Sequence, residues 1–262
     1  EDLQGKNPDR ALKVINTDAV TGGRGKSNAL NIGYKQSKGE LLAVYDADNT
    51  PERDALKYLA AEILSDPGLA AVIGKFRTRN RDANLLTRFI NIETLSFQWM
   101  AQAGRWQLLN LCTIPGTNFI VRRDIMVQTG GWDINAMAED TELSFRIYGM
   151  GYKIKFMPLA VTWEQEPQTL KVWFRQRVRW VKGNIYVLIK FDMLYFLSIY
   201  FILLAALIIS DSLFLLSALG LIRLTLASLS PLLWLMAIFL FTITVFITLT
   251  TEKGEMRLSN LY

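Results

Sequence analysis

The chain has 262 residues, 51% of them hydrophobic, with one cysteine, no histidine and a net charge of +5; that length suits one large domain or two ordinary ones. The absence of histidine excludes a Ser-His-Asp triad, a histidine-dependent zinc site and a histidine general base, so acid–base work falls to Asp, Glu, Lys or Tyr. A single Cys112 allows no intrachain disulfide and suits a reducing compartment.

In chain order, the polar first ten residues read as a loop and Ala11–Asn16 as a short strand. Thr21–Lys26 (TGGRGK) is a glycine-rich turn, and Ser27–Ser37 has the apolar spacing of a helix with Ser27 or Asn28 as its cap. Glu40–Tyr45 (ELLAVY) is a continuous apolar run of strand length, as expected of a buried parallel strand, and it stops at Asp46-Ala47-Asp48. Pro51 opens a predicted helix through Leu64, and Ala70–Lys75 is the next strand. This alternation predicts an α/β domain with a mainly parallel sheet. A long helix is expected over roughly Ala83–Ala103, then a strand at Phe119–Arg122 and a turn at Gly130-Gly131-Trp132. A short helix with an acidic start follows over Glu139–Tyr148, then a strand over Tyr152–Met157.

The remainder looks different. Gln168–Lys190 is predicted as a helix with Leu170, Trp173, Phe174, Val178 and Val181 forming an apolar stripe, and Arg175, Arg179 and Lys182 on other faces. Residues 193–250 then carry two ionisable side chains, Asp211 and Arg223. That is long enough for two transmembrane passes, near 194–216 and 231–250, or for three shorter ones. A basic amphipathic helix beside such a stretch reads as interfacial. Basic residues between Lys171 and Lys190, with Lys253 and Arg257 beyond, favour the cytoplasmic side and an even number of passes.

Four constellations carry chemistry, each with a plainer alternative. Gly25-Lys26-Ser27 looks like the end of a P-loop, but Val20 stands where that loop requires glycine, and a simple strand-to-helix turn is the other reading. Asp46 and Asp48 lie beyond the carboxyl end of a buried strand, where open α/β sheets bind ligands; they are either a divalent-cation site or an acidic cap before Pro51. Asp140 after Glu139 is a general base or a helix N-terminal charge. Gln176-Arg177-Val178-Arg179-Trp180 offers an amide, a forked cation and a flat ring, or is simply a basic membrane-proximal helix.

The order Gly-Lys-x-x-Ala-Leu-Asn (Gly25–Asn31), Asp-x-Asp, Gly-Thr-Asn, Gly-Gly-Trp-Asp, Glu-Asp-x-x-Leu and Gln-x-x-Arg-Trp, followed by apolar spans, resembles the processive family 2 glycosyltransferases. These include the cellulose, hyaluronan and poly-N-acetylglucosamine synthases, and the resemblance covers about residues 10–250. It implies a nucleotide-sugar-binding domain of the GT-A type over 1–166, an interfacial helix over 167–192, transmembrane helices over 193–250 and a tail over 251–262. By the same resemblance Lys26 lies near the donor phosphates, and Asp46 touches the donor's sugar or ribose. Asp48 holds Mg²⁺ or Mn²⁺, and Asp140 is the base. Gln176 and Arg179 grip the diphosphate, while Gly116, Thr117, Glu139 and Trp180 face the acceptor.

The implied reaction is inverting transfer from a nucleotide-sugar, led by UDP-N-acetylglucosamine or UDP-glucose, to a growing β-linked polysaccharide. The implied partners are the donor, a glycan acceptor, the bilayer and accessory synthase subunits, with no nucleic acid; the implied place is the cell membrane, with the catalytic domain cytoplasmic. The family's first strand and its base-reading aspartate have no counterpart before Ala11, which implies an N-terminally truncated domain. Three rivals stand beside this reading: a non-processive enzyme making a glycolipid, a P-loop ATPase, and a non-catalytic scaffold.

Overall fold

The computed structural model describes residue 5, residues 11–18, 22–23 and 25–191, short pieces between 209 and 220, and residues 230–251. Its elements run α1 (Lys26–Gln36), β1 (Leu41–Val44), β2 (Thr50–Pro51), α2 (Ala55–Ser65), β3 (Leu69–Thr78) and α3 (Leu85–Ser96). A π-helical segment (Phe97–Gly104) follows, then α4 (Arg105–Leu109), β4 (Phe119–Arg122), α5 (Arg123–Thr129) and α6 (Glu139–Gly149). The last are β5 (Lys153–Glu164), α7 (Leu170–Lys190) and α8 (Ser230–Thr251).

The sheet is mixed, in the order β1-β4-β3-β5-β2. Only β3 and β5 pair in parallel among the described strands; β1–β4, β3–β4 and β2–β5 are antiparallel. The expectation of a mainly parallel sheet is corrected in a specific way. Strands β1, β3 and β5 do share one direction, as their helical connections demand, but β4 inserts antiparallel between β1 and β3. Strand alternation fixes direction and says little about which strands become neighbours.

Both faces of the sheet are filled. On β4, Phe119 and Val121 enter one core with Ile125, Leu143 and Ile147, while Ile120 enters the other with Leu59, Ile63 and Val72. The period of two puts successive residues on opposite faces, and burial on both sides explains why the first part of β3, residues 69–74, is apolar throughout.

Other expectations need adjustment. Ala11–Asn16 forms no strand: Leu12 and Val14 are exposed at 42% and 49%, so its apolar side chains find nothing to bury against. Pro51 belongs to β2, whose partner is β5, and the helix starts later, after Asp54. The long helix after Ala83 continues to Leu109 through the π-helical turn. There, Gln98 gives its amide to the backbone of Phe76, accepting its N–H (2.6 Å) and donating to its C=O (2.9 Å), which ties the helix to β3.

Among the described residues, no helix is long and apolar enough to cross a membrane. The span expected at 194–216 lies almost wholly outside the described residues. That expected at 231–250 falls on α8, one helix of 22 residues, eight of whose side chains are outside the described set. The described end of α8 buries Thr248 and Leu249, and the helix packs against α3.

Candidate active site

Strands β1, β3 and β5 end at one edge of the sheet, the place where α/β folds hold ligands. Asp46 and Asp48 follow β1 there, Gly116 to Asn118 lead into β4, and Glu164 and Glu166 close β5. Lys26, the first residue of α1, reaches across this edge. Its Nζ donates to the Gly116 carbonyl (2.8 Å), pairs with Asp46 Oδ1 (2.6 Å) and stands 4.0 Å from Glu139. The Thr117 hydroxyl accepts the Asp46 N–H (2.9 Å) and donates to Asn49 (3.1 Å). Five of the sequence-predicted residues, Lys26, Asp46, Gly116, Thr117 and Glu139, are thereby one connected cluster.

Asp140 joins that cluster over Gly116. A Cβ on Gly116 would lie 2.8 Å from Asp140 Oδ2 and 3.6 Å from Lys26 Nζ, and Gly116 has φ +87°. Glycine is required there twice, for the left-handed backbone and for the space the carboxylate fills. Burial, reinforced by neighbouring Glu139, pushes the Asp140 carboxyl up to about 6, against the pull of the Thr141 N–H and Lys26. A carboxylate tuned toward neutrality is suited to general-base work.

Several supporting residues escaped sequence reasoning. Ser144 Oγ donates to the Asp140 carbonyl (2.8 Å) and accepts the Ile114 N–H (2.8 Å). Tyr148 OH accepts the Cys112 N–H (2.7 Å) and donates to the Cys112 carbonyl (2.8 Å). Gln102, from the π-helical turn, does the same for Thr113. The loop carrying Gly116 is therefore laced to the helix carrying Asp140. The available signal was the i, i+4, i+8 spacing of Asp140, Ser144 and Tyr148, which shares one helical face. Asn31, in the Gly25–Asn31 motif, accepts the Trp132 N–H (2.9 Å) and donates to its carbonyl (2.8 Å), which joins that motif to the Gly-Gly-Trp turn.

Asp48 is exposed, and its Oδ1 accepts from Asn49 (3.2 Å). Glu164 nearby is pushed up to about 8 by burial and by Glu166, with Asp48 and Asp46 adding to the effect. The edge thus carries an excess of negative charge that a cation would relieve. Among the described residues no group of three or more His, Cys, Asp or Glu could hold a metal ion. The donor set fits a Mg²⁺-like ion held through one or two carboxylates, its shell completed by substrate phosphate oxygens and water.

The Gln176–Trp180 stretch lies apart. The Arg177 guanidinium sits 4.1 Å from the Trp180 ring centroid and 5.7 Å from that of Trp173, and pairs with Glu93. Gln176 Oε1 and Arg177 Nε and Nη1 are buried with no hydrogen-bond partner among the described residues. Arg179 and Trp180 are exposed. Among the described residues, no hydrogen bond or ion pair joins these side chains to the Lys26–Asp140 cluster.

Residues 41–249 match the model of a family described as glycosyl transferase family group 2. A probable glycosyltransferase, YdaM of Bacillus subtilis (strain 168), is 48% identical over 96% of this chain and 63% of its own length. The poly-β-1,6-N-acetyl-D-glucosamine synthase of Staphylococcus aureus (strain COL) is 35% identical over 64% of this chain and 40% of its own. The chain thus spans less than two thirds of either relative. Among solved structures, the mannosyltransferase PcManGT from Pyrobaculum calidifontis, in complex with GDP-Man and Mn²⁺, is similar at 25% identity and a TM-score of 0.47. That similarity covers 65% of this chain and 44% of the other.

Proposed function

The chain belongs to glycosyl transferase family group 2, and on that premise we propose that it transfers a sugar from a nucleotide-sugar, with inversion, to a growing β-linked polysaccharide. The reading is carried by one observation: the Asp140 carboxylate, raised to about 6, lies over Gly116 beside the Lys26–Asp46 pair. The similarity to a poly-β-1,6-N-acetyl-D-glucosamine synthase favours a UDP-linked N-acetylhexosamine as donor.

The donor diphosphate lies at the edge formed by the ends of β1, β3 and β5, in a GT-A-type arrangement. Lys26 there has a charge to share between Asp46 and an incoming phosphate. Asp140 accepts the proton of the acceptor hydroxyl as that oxygen attacks the anomeric carbon. The bond to the nucleoside diphosphate breaks in the same displacement, so an α-linked donor gives a β-linked product without a covalent enzyme intermediate. Asp48, with the acidic end of β5 behind it, would hold Mg²⁺ or Mn²⁺. The bound ion offsets charge on the leaving diphosphate. Gln176 and Arg179 supply donors to the diphosphate, and Trp180 supplies a flat face that orients the acceptor sugar.

Membrane attachment belongs to this proposal. The support is in the sequence: residues 231–250 carry no ionisable side chain, and a pass needs about 20 mostly apolar residues. Exposed Leu170, Phe174 and Val181 on α7 suit the interface. The catalytic domain, residues 1–166, would then stand on the cytoplasmic side, where nucleotide-sugars are made.

The test uses membrane vesicles carrying the protein, Mg²⁺ or Mn²⁺, and a panel of labelled UDP-sugars, with the product sized on a gel beside Asp140→Asn. A long polymer from one donor, absent in the variant, is the expected result. A lipid bearing one or two sugars would replace processive synthesis with glycolipid formation. No transfer from any donor would end the proposal.

A further inference from the structure

The second half of α7 is fixed to the catalytic domain through more contacts than its first half, and the fixing points, Asp133, Ala138 and Glu142, flank Glu139 and Asp140 in the chain. Lys190 Nζ pairs with Asp133 (2.6 Å) and with Glu142 (2.7 Å), whose side chain is fully buried. Tyr186 OH donates to the same Asp133 carboxylate (3.0 Å). Glu142 also holds Arg146 (2.6 Å). Gly183 lies so close to the preceding loop that a Cβ there would stand 2.7 Å from Ala138 Cβ and 2.9 Å from Ala138 N. Glycine is a poor helix former, and this contact gives it a reason in the middle of a 21-residue helix.

The segment 132–138 delivers Glu139 and Asp140 to the site. It is held at Trp132 by Asn31, at Asp133 by Lys190 and Tyr186, and at Ala138 by Gly183; Lys190 then grips Glu142, two residues beyond Asp140. On α7, Gly183, Val187 and Lys190 follow Gln176 by 7, 11 and 14 residues, so they share its helical face. We propose that Lys190, with Tyr186 and Gly183, is a clamp that sets the position of the α7 motif relative to Asp140, which makes Lys190 a positioning residue for transfer. A shift of α7 on the membrane would be passed to Asp140 through this clamp, so the acceptor end and the base move together. The clamp is reached by solvent through an open polar hollow of about 480 Å³ lined by Asp133, Arg146, Tyr186 and Lys190, so salt weakens it.

The inference rests on the transferase reading, and its test separates the two. In membrane vesicles with Mg²⁺ and the donor the parent uses, Lys190→Met is expected to lower kcat about tenfold or more through misplacement. The KM for donor should rise as kcat falls, since Gln176 and Arg179 on the displaced α7 are the groups proposed to contact the diphosphate. Lys190→Arg should restore most of kcat. Hydrogen exchange on the same membrane-embedded proteins gives an arm independent of activity: Lys190→Met should speed exchange across 132–141 while leaving β3 protected, and Lys190→Arg should not. Parental kcat and exchange in Lys190→Met would overturn the clamp. So would faster exchange throughout β3 and β4, which would mean general unfolding. If the parent transfers no sugar, the proposed function falls and exchange alone decides the clamp.

Discussion

Two regions of the molecule hold polar groups in opposite ways. Around Lys26 the polar groups are tied to one another: Gly116, Asp46, Thr117, Ser144 and Thr141 form one connected network. In the first half of α7, Gln176 Oε1 and two nitrogens of Arg177 are buried with no partner among the described residues. Unpaired buried polar atoms are costly and call for an explanation. On the proposed reading, Asp140 is preorganised as base by the fold, while the Gln176–Trp180 stretch would reach its working arrangement against a ligand. A connected network resists rearrangement; an unsatisfied one is completed by what binds.

The comparison predicts that damage to the connected network costs most. Asp140→Asn removes the base and should lower transfer by about 10²–10⁴-fold. The same substitution should raise stability at neutral pH. The folded pKa of Asp140 is raised to about 6 from 3.8. A carboxyl of that kind contributes stability that is present below 3.8 and lost as pH rises through 6. At pH 7.5 the neutral amide should therefore gain roughly 3 kcal/mol, a gain that vanishes near pH 4. Thermal unfolding against pH checks this, and a variant less stable at pH 7.5 would deny that Asp140 is a strained, preorganised group. Gly116→Ala ranks next: its Cβ would stand 2.8 Å from Asp140 Oδ2, and a displaced base can cost about 10²-fold. Transfer kinetics with intact nucleotide binding would identify displacement rather than unfolding.

How far the sequence disclosed this depends on the range of the interaction. The Glu40–Tyr45 run, the carboxylates after it and the acidic start of α6 are local patterns and lie where they were expected. Among the described strands, however, β1 is an edge strand antiparallel to β4 with Ala43 exposed, not the buried parallel strand expected. Insertion of β4 between β1 and β3 is a long-range choice that no local pattern encodes. Gln98 and Gln102 look like surface residues in sequence, yet both are buried because their amides replace missing backbone partners. Lys26 is legible in the sequence as a candidate site cation, while its bond to the Gly116 carbonyl, 90 residues away, is not. Gly183 and Lys190 gave only the period of a helix face, and their partners lie some 45 to 57 residues back in the chain.

Acidification probes the connected network without mutation. The base must be ionised to accept a proton, so kcat/KM should fall about tenfold per pH unit below 6 and be flat above it. An acid limb near 4 instead would mean that a better-solvated carboxylate is the base.

The smallest effects belong to the first half of α7. Arg177→Lys keeps a charge beside Glu93 but loses the flat guanidinium face stacked 4.1 Å from the Trp180 ring. Cation–π contacts are worth about 0.5–1 kcal/mol at exposed sites, reaching about 2 kcal/mol when desolvated. Since a tenfold effect needs about 1.4 kcal/mol, transfer should fall by roughly tenfold or less. Glu93→Gln should cost less still, because Glu93 is 53% exposed and such pairs contribute about 0.2–1 kcal/mol. Initial rates at saturating donor, measured for both variants beside Asp140→Asn, place the two regions on one scale. A loss in Arg177→Lys equal to that in Asp140→Asn would mean that the α7 stretch is as rigidly placed as the base. The unpaired atoms of Gln176 and Arg177 would then record strain held in the fold rather than a seat completed by ligand.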